Sequence, residues 1–583
     1  MSNPTIPFEL TIGVLQELYA SRAVTPREVI QEIINRVQAD SAMNIWITPP
    51  TIEALEPYLA RLEGTESRGL PLWGIPFAIK DNIDVAQVAT TAACPAYSYE
   101  PTEHATVVRR MIDAGAIPLG KTNLDQFATG LVGVRSPYGE AHNALRPELI
   151  SGGSSSGSAV AVARGHAAFS FGTDTAGSGR VPAALNNLVG YKPSLGAWPT
   201  KGVVPACASL DCVNVFAHSL EDALKVDTYA RGLDASDPWS RSVERSASRL
   251  PSKVYLPVDP PQFYGPYAAE YSDAWDAAVD RITKLDLPIA YIDYELFGRT
   301  AALLYDGPWV SERWASLSEF VEANPEAVFG TTEQILRSGA SDKQTAASVF
   351  TAMHELQRYK LAAKKLLDNA VMIMPTCGGT YLREQVRLDP IGTNSNMGRY
   401  TNHCNLLDLC AAAIPAGEAA PALPFGITLF ALAEEEALVT GTAEMIIHGR
   451  IMPVSSPAKD MIPVAVCGLH MRGFPLEKQM QEHGARFVRE AATAAKYAMV
   501  KLATAPPKPG LIKRQEGGQA FQLEVWEMPA AAFGAFAALI PAPLGIGKVE
   551  LADGTQIPGF ICEGYAEQDA EDISAYGGWR HIV

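Results

Sequence analysis

The sequence predicts an α/β protein: one large layered domain over residues 1–452, a linker over 453–463, and a smaller α+β domain over 464–583. Three observations carry this. From about residue 71 to 230, short apolar runs alternate with segments of helical periodicity, as in a layered fold around a buried sheet. The stretch from Pro453 to Pro463 then interrupts the pattern with proline and serine. Beyond it, short strand-like runs surround Asp553–Gly554, a strong hairpin signal.

The elements follow in order. Residues 9–22 and 27–38 read as amphipathic helices, the second opened by the capping box Thr25–Pro26–Arg27–Glu28. Gly74–Ile79 reads as a buried strand that ends at Lys80. Residues 105–114 read as a helix capped by Gly115, and Ala116–Leu119 as the next strand. A packed helix starts near Gly157, and Ala168–Gly172 is again a strand. A strand over Lys253–Leu256 and a helix near 268–285 continue the alternation. In the smaller domain, Ile462–Val466 and Gln522–Trp526 read as strands, residues 476–490 and Pro529–Phe536 as helices, and Gly547–Leu551 with Thr555–Cys562 as a hairpin.

Composition narrows the function. A 47% hydrophobic and 19% charged content suits a well-packed enzyme rather than a disordered chain. No run of about 18 apolar residues suggests a membrane span, and the first residues lack the basic and apolar regions of a signal peptide. The 8 cysteines are scattered singly with no CxxC, which argues against zinc and against a disulfide framework. Cys467 reads as a small core residue. These features point to the cytoplasm. A net charge of −17 argues against nucleic acid as a partner. An anionic substrate would need a local cation to overcome that field.

Three motifs carry chemistry. Ala78–Ile79–Lys80–Asp81–Asn82 places a lysine at the end of an apolar strand. Ser151–Gly–Gly–Ser154–Ser155–Ser156–Gly157–Ser158 and Gly172–Thr–Asp174–Thr–Ala–Gly177–Ser178–Gly–Arg180 place serines in glycine-rich turns. A serine hydroxyl needs a base to attack at neutral pH. A lysine serves when burial favours its neutral form. A second serine can relay the proton, since a hydroxyl both donates and accepts. The backbone N–H groups of Thr175, Ala176, Gly177 and Ser178 are the candidate oxyanion hole. Taken singly, the glycine–serine stretch also fits a loop and the lysine a snorkelling residue. Gly115–Ala–Ile–Pro–Leu–Gly120–Lys121–Thr122 fits a phosphate-binding loop, but it follows a helix rather than a strand, so that reading is set aside.

The three motifs, in this order, resemble the amidase signature family, whose hydrolases use a serine, a cis-serine and a lysine. The resemblance implies an α/β/α sandwich around a mixed sheet, with Ser178 as nucleophile, Ser154 as the bridging serine after a cis peptide, and Lys80 as base. It covers most of residues 5–440. Ser151 and Ser156 stand at variable places of the family's serine-rich motif, and Thr175–Ala176–Gly177 departs from its commoner turn. Should Ser178 fail as nucleophile, Ser155 and Ser156 are the next candidates.

Two further stretches resemble one branch of that family, the allophanate hydrolases. One is Leu304–Tyr305–Asp–Gly307–Pro–Trp309–Val–Ser–Glu312–Arg313; the other runs from Met397 through Asn405 to Asp408. Tyr305 and Arg313 would share one helical face if the helix runs through; by themselves they also fit a surface helix with an aromatic anchor. The resemblance implies that both hold the substrate, and an arginine fork suits a carboxylate. Gly468–Leu–His470, Lys508–Pro–Gly510 and Pro543–Leu–Gly–Ile–Gly547 resemble that branch's C-terminal domain, which has a γ-glutamylcyclotransferase-like fold and whose aligned histidine is its acid/base. His470 alone also fits a strand-capping residue. The expected activity is hydrolysis of allophanate to ammonia through a Ser178 acyl-enzyme, then decarboxylation in the second domain. No metal or organic cofactor is implied. A homodimer through the large domain and a urea carboxylase acting upstream are expected. No biotin-attachment or ATP-grasp sequence occurs in the chain. The alternative is a general amidase or the amidase component of an amidotransferase, with the second domain an assembly module.

Overall fold

The computed structural model describes residues 6–63, 69–305, 307–452, 461–568 and 570–582. It divides into two compact units, residues 1–454 and 455–583. Of the expected linker, residues 453–460 lie outside the described residues, and Met461 to Pro463 already belong to a strand, Met461–Val466.

The first unit is built on an eleven-stranded mixed sheet. Its site-bearing middle consists of Ile117–Thr122, Pro76–Lys80, Phe169–Thr173 and Val213–Ala217, neighbours in that order. The first three run parallel, with Ile79 opposite both Lys121 and Phe171; Val213–Ala217 pairs antiparallel, with Thr173 opposite Val213. All five residues of Pro76–Lys80 and all five of Phe169–Thr173 are buried. That is why these strands read as continuous apolar runs rather than as an alternation. Phe77 stacks on Phe169 inside this layer, and Phe171 meets both edge-on. The helix Ser156–Ala163 lies against the same strands with Ser156 through Val162 buried. Small residues on every side let it sit that close. Lys80 and Thr173 end adjacent parallel strands, the edge where open α/β sheets collect their ligands.

Two helical expectations are corrected. The chain does not run as one helix through Tyr305 and Arg313. Glu295–Tyr305 ends, and Val310–Ala323 starts a separate helix. The break contains Gly307 and Pro308, and a proline inside a helix removes a backbone donor and clashes with the preceding turn. Residues 476–490 likewise do not form one helix. Glu477–Glu482 is a short helix, Gly484 adopts φ +70° just beyond its end, and Arg486–Ala492 is a strand. The capping box does form: the Thr25 and Glu28 side chains bond each other's backbone N–H at the start of Pro26–Ala39.

The second unit is β-rich. Its five-stranded sheet runs Arg486–Ala492, Gln522–Pro529, Met461–Val466, Gln556–Cys562, Leu544–Glu550. A three-stranded sheet holds Lys508–Lys513, Tyr497–Leu502 and Glu571–Asp572. The last two strands of the larger sheet form the hairpin around Asp553–Gly554, with Glu550 opposite Gln556 and Gly554 at φ +86°.

Candidate active site

Lys80 is fully buried at its strand end. Its Nζ lies 2.7 Å from Ser154 Oγ and 2.7 Å from Thr173 Oγ1. The peptide between Gly153 and Ser154 is cis. A Cβ on Gly153 would stand 2.1 Å from Asp125 Oδ2, so this turn requires glycine. Asp125 accepts from the N–H groups of Val132, Gly133 and Arg135, and its own N–H donates to the Ser154 carbonyl. The loop at 132–135 is thereby pinned under the serine turn. Ser155 Oγ donates to the Thr173 carbonyl at 3.1 Å, and Ser156 Oγ to that of Asn123 at 3.4 Å. Both hydroxyls serve the backbone.

Ser178 sits in the turn that follows Phe169–Thr173. The Asp174 carboxylate organises that turn: it accepts from the N–H of Gly177 and Gly179 and from two guanidinium nitrogens of Arg180. Gly177 holds φ +138°, and a Cβ there would fall 2.3 Å from Thr401 Oγ1. The Ser178 hydroxyl forms no hydrogen bond among the described residues. Lys80 and Ser154 are therefore joined directly, while the Ser154–Ser178 link of the expected relay is not closed in this structure. One member of the expected oxyanion hole is corrected: the Gly177 N–H is already committed to Asp174 at 2.8 Å. The N–H groups of Thr175, Ala176 and Ser178 donate to no acceptor among the described residues.

Burial pushes Lys80 from 10.5 down to about 7, against the opposing pull of Asp125, Asp211 and Asp174. None of these carboxylates is ion-paired with it among the described residues. Burial works to raise Asp174, but Arg180 overrides it and holds the carboxyl below its usual value. Asp211 stays raised by burial although it accepts from the Thr175 hydroxyl and two backbone N–H groups. The phosphate-loop reading of Gly115–Thr122 has no support. Its lysine, Lys121, is buried in the strand Ile117–Thr122, 3.3 Å from Asp81 Oδ1 and 2.7 Å from Thr90 Oγ1.

Tyr305 and Arg313 meet across the helix break. Arg313 is 1% exposed. Its Nη2 lies 3.5 Å from the Tyr305 hydroxyl, its Nη1 3.2 Å from Thr129 Oγ1, and its Cζ 5.5 Å from the Tyr305 ring centroid. Its buried Nε has no partner, and among the described residues no carboxylate is ion-paired with it. A buried guanidinium left this open has the chemistry to receive an anion. The adjacent Glu312 binds the Ser209 N–H and hydroxyl, tying this helix to the loop that carries Asp211. Tyr305 also lines a cavity of about 390 Å³ with Tyr294, Arg399 and Asn402.

Sequence reasoning missed several supports. Thr173 is the second neighbour of Lys80, Thr401 packs on Gly177 and accepts from Arg180, and Asn405 Nδ2 donates to the Asp174 carbonyl at 2.7 Å. Asp174 and Arg180 frame the serine motif and could have been read as a pair from their spacing. Asp125, Asp211 and Thr401 carry no local signal.

In the second unit, His470 is buried and its Nε2 lies 3.1 Å from Gln479 Oε1. Its ring stacks on Phe560 and meets Phe536 edge-on. Burial pushes its pKa below 6.5. It lines a cavity of about 230 Å³. Burial raises the Cys467 thiol to about 12, as for an inert core residue. Among the described residues no group of three His, Cys, Asp or Glu could hold a metal ion, and no helix is long and apolar enough to cross a membrane.

Comparison with known proteins agrees with this division. Residues 28–440 match the amidase family, and residues 462–583 match the allophanate hydrolase C-terminal domain. The urea amidolyase of Saccharomyces cerevisiae is 38% identical over 95% of this chain, which spans 32% of that relative. The chain thus covers about a third of the length of the urea amidolyases it matches. The allophanate hydrolase of Kluyveromyces lactis superposes with a TM-score of 0.72 at 36% identity, over 99% of both chains. A glutamyl-tRNA(Gln) amidotransferase of Streptococcus thermophilus is 38% identical, but over only 40% of this chain and 48% of its own length.

Proposed function

The chain belongs to the amidase family, and from that premise we propose that it hydrolyses allophanate in its first unit and decarboxylates the product in its second. The observation that carries the reading is the open, buried guanidinium of Arg313 beside Tyr305, in the same unit as the Lys80–Ser154 pair. Allophanate is a terminal urea amide bearing a carboxylate. Arg313 and Tyr305 take the carboxylate. Ser178 Oγ attacks the terminal carbonyl, and its proton passes through Ser154 to neutral Lys80. The free N–H groups of Thr175, Ala176 and Ser178 receive the oxyanion. Ammonia leaves with the returned proton, and water clears the acyl-enzyme to give N-carboxycarbamate. In the second unit, His470 supplies the proton that nitrogen needs as the C–N bond breaks and CO₂ departs; carbamate then decays unaided. The likeness to the K. lactis allophanate hydrolase over the full chain supports this over a general amidase, because the amidotransferase matches only part of this chain. The reading also takes the enzyme as a cytoplasmic homodimer fed by a urea carboxylase; the likeness to urea amidolyases supports the urea link.

Ser178→Ala should reduce ammonia release by at least ~10³-fold with the fold retained. Lys80→Ala should cost nearly as much, and the double variant no more than either, because the groups act as a unit. Additive losses, or turnover near wild type in Ser178→Ala, would remove the assignment.

The base must be neutral, and its pKa is displaced downward to about 7. Ammonia release should therefore fall by about tenfold per pH unit below that value and level off above it. A kcat/KM profile flat from about pH 5.5 to 8 would mean that Lys80 is not the titrating base.

Arg313→Ala should raise KM for allophanate by about one to two decades, the value of a charged hydrogen bond of roughly 1.5–3 kcal/mol, and much less for propionamide. Tyr305→Phe should shift it in the same direction by less. Equal losses on both substrates would make Arg313 structural.

His470→Ala should leave ammonia release intact and delay CO₂ behind it. Stopped-flow CO₂ detection beside an ammonia assay reads this directly, and unchanged CO₂ kinetics would leave the second unit without a catalytic role.

A further inference from the structure

The cavity around His470 contains a feature the proposed reaction has not used. Its walls are mostly apolar, with Leu469, Leu476, Leu539, Ile540, Leu544, Phe560 and three prolines, and beside His470 they carry the polar Gln479. One permanent charge lines it, Lys508. Lys508 is half-buried at the start of the strand Lys508–Lys513 and, among the described residues, has no carboxylate partner. No carboxylate lines the cavity either. The other described lysines of that three-stranded sheet behave differently: Lys501 and Lys513 are each paired with a glutamate.

The backbone is shaped to bring the two groups into one cavity. His470 follows a strand of the larger sheet, and Lys508 opens a strand of the smaller one. A Cβ on Gly468 would stand 2.5 Å from Pro509 Cγ, so only glycine lets the turn before His470 press against the residue after Lys508. Burial lowers the His470 pKa most, the Gln479 hydrogen bond opposes it, and Lys508 is close enough to add a smaller lowering.

We propose that Lys508 is the anion-holding residue of this second site, binding the carboxylate that a small dicarboxylate substrate retains while His470 protonates the nitrogen at the breaking bond. The proposal rests on the reading of the second unit as a decarboxylase. In this step the C–N bond of N-carboxycarbamate breaks, its electron pair goes to nitrogen, the protonated (imidazolium) form of His470 gives that nitrogen one proton and is left as neutral imidazole, and CO₂ and carbamate leave. The departing carboxylate loses its charge in the transition state, so the apolar walls favour it. The retained carboxylate keeps its charge throughout, so a cation on that end alone binds the substrate without holding back the reaction.

Complementation between variants tests this with the full chain. His470→Ala protein turning over allophanate supplies N-carboxycarbamate, and Ser178→Ala protein, which makes none, is titrated in as the decarboxylase. Adding Lys508→Gln to the Ser178→Ala protein should raise the concentration needed for a given CO₂ rate by about 10- to 100-fold. Lys508→Arg should restore most of it, which a merely structural lysine would not require. If Lys508→Gln complements as well as its parent, the lysine proposal is overturned and the decarboxylase reading stands. If the Ser178→Ala protein itself adds nothing over buffer, the decarboxylase reading falls and the lysine proposal falls with it.

Discussion

A lysine buried without a carboxylate in contact is the constraint around which the first unit is arranged. Burying an unpaired ammonium is costly, and the chain meets the cost by letting Lys80 lose its proton near neutrality. That holds only while nearby carboxylates stay off it. Asp125, Asp174 and Asp211 all lie close enough to act on Lys80, yet each is occupied elsewhere: by three loop N–H groups, by Arg180 and two turn N–H groups, and by Thr175 with two further N–H groups. The groups that touch Lys80 are hydroxyls. A carboxylate swung into contact would restore the ammonium and remove the base. The contrast with Lys121 is direct. It is also buried, but it is paired with Asp81, and it belongs to the structure.

The same bonds make one body of segments far apart in sequence. Asp174 shapes the Ser178 turn, and Asn405 holds the Asp174 carbonyl. Thr401 fills the space that Gly177 leaves. Glu312, next to Arg313, fixes the loop at Ser209, which leads to Asp211 and so to Thr175. The helix that carries Arg313 is thus braced to the turn that presents the free N–H groups. A displacement of either would be felt by the other, because the intervening contacts are hydrogen bonds among largely buried groups.

How much of this was legible follows from which forces are local. The alternation of strands and helices, the capping box and the hairpin at Asp553–Gly554 are set by neighbours in sequence, and they were read correctly. Lys80 and Ser154 could be paired because each sits in a motif whose chemistry is explicit. The eight-residue spacing put Tyr305 and Arg313 on one face only if the helix ran through; Gly307 and Pro308 break it, and the two side chains still meet, across the break. The segment 476–490 was misread as one helix: Gly484, at φ +70°, ends the helix after Glu482 and the chain continues as a strand. The Gly177 N–H was miscounted because nothing local shows that Asp174 folds back onto its own turn. Asp125 and Asp211 could not be found at all, since their partners, loop N–H groups and for Asp211 also the Thr175 hydroxyl, are brought together only by the fold.

The two proposed sites are suited to opposite electrostatic tasks, and this is a physical reason for two units. Acyl transfer builds charge on an oxygen, which in the proposed reaction the unsatisfied N–H donors of the first site would receive while the buried Arg313 guanidinium would hold the substrate carboxylate. Those N–H donors work against decarboxylation, because the carboxylate newly formed at the acyl carbon would stay stabilised in the ground state where the oxyanion was received, and it must give up its charge as CO₂ forms. The His470 cavity has the reverse character: leucine, isoleucine, proline and phenylalanine walls, one imidazole, and a single ammonium. A site good at the first step would hold its own product too well to finish the second. In the proposed reaction, placing the second step among mostly apolar side chains removes that conflict.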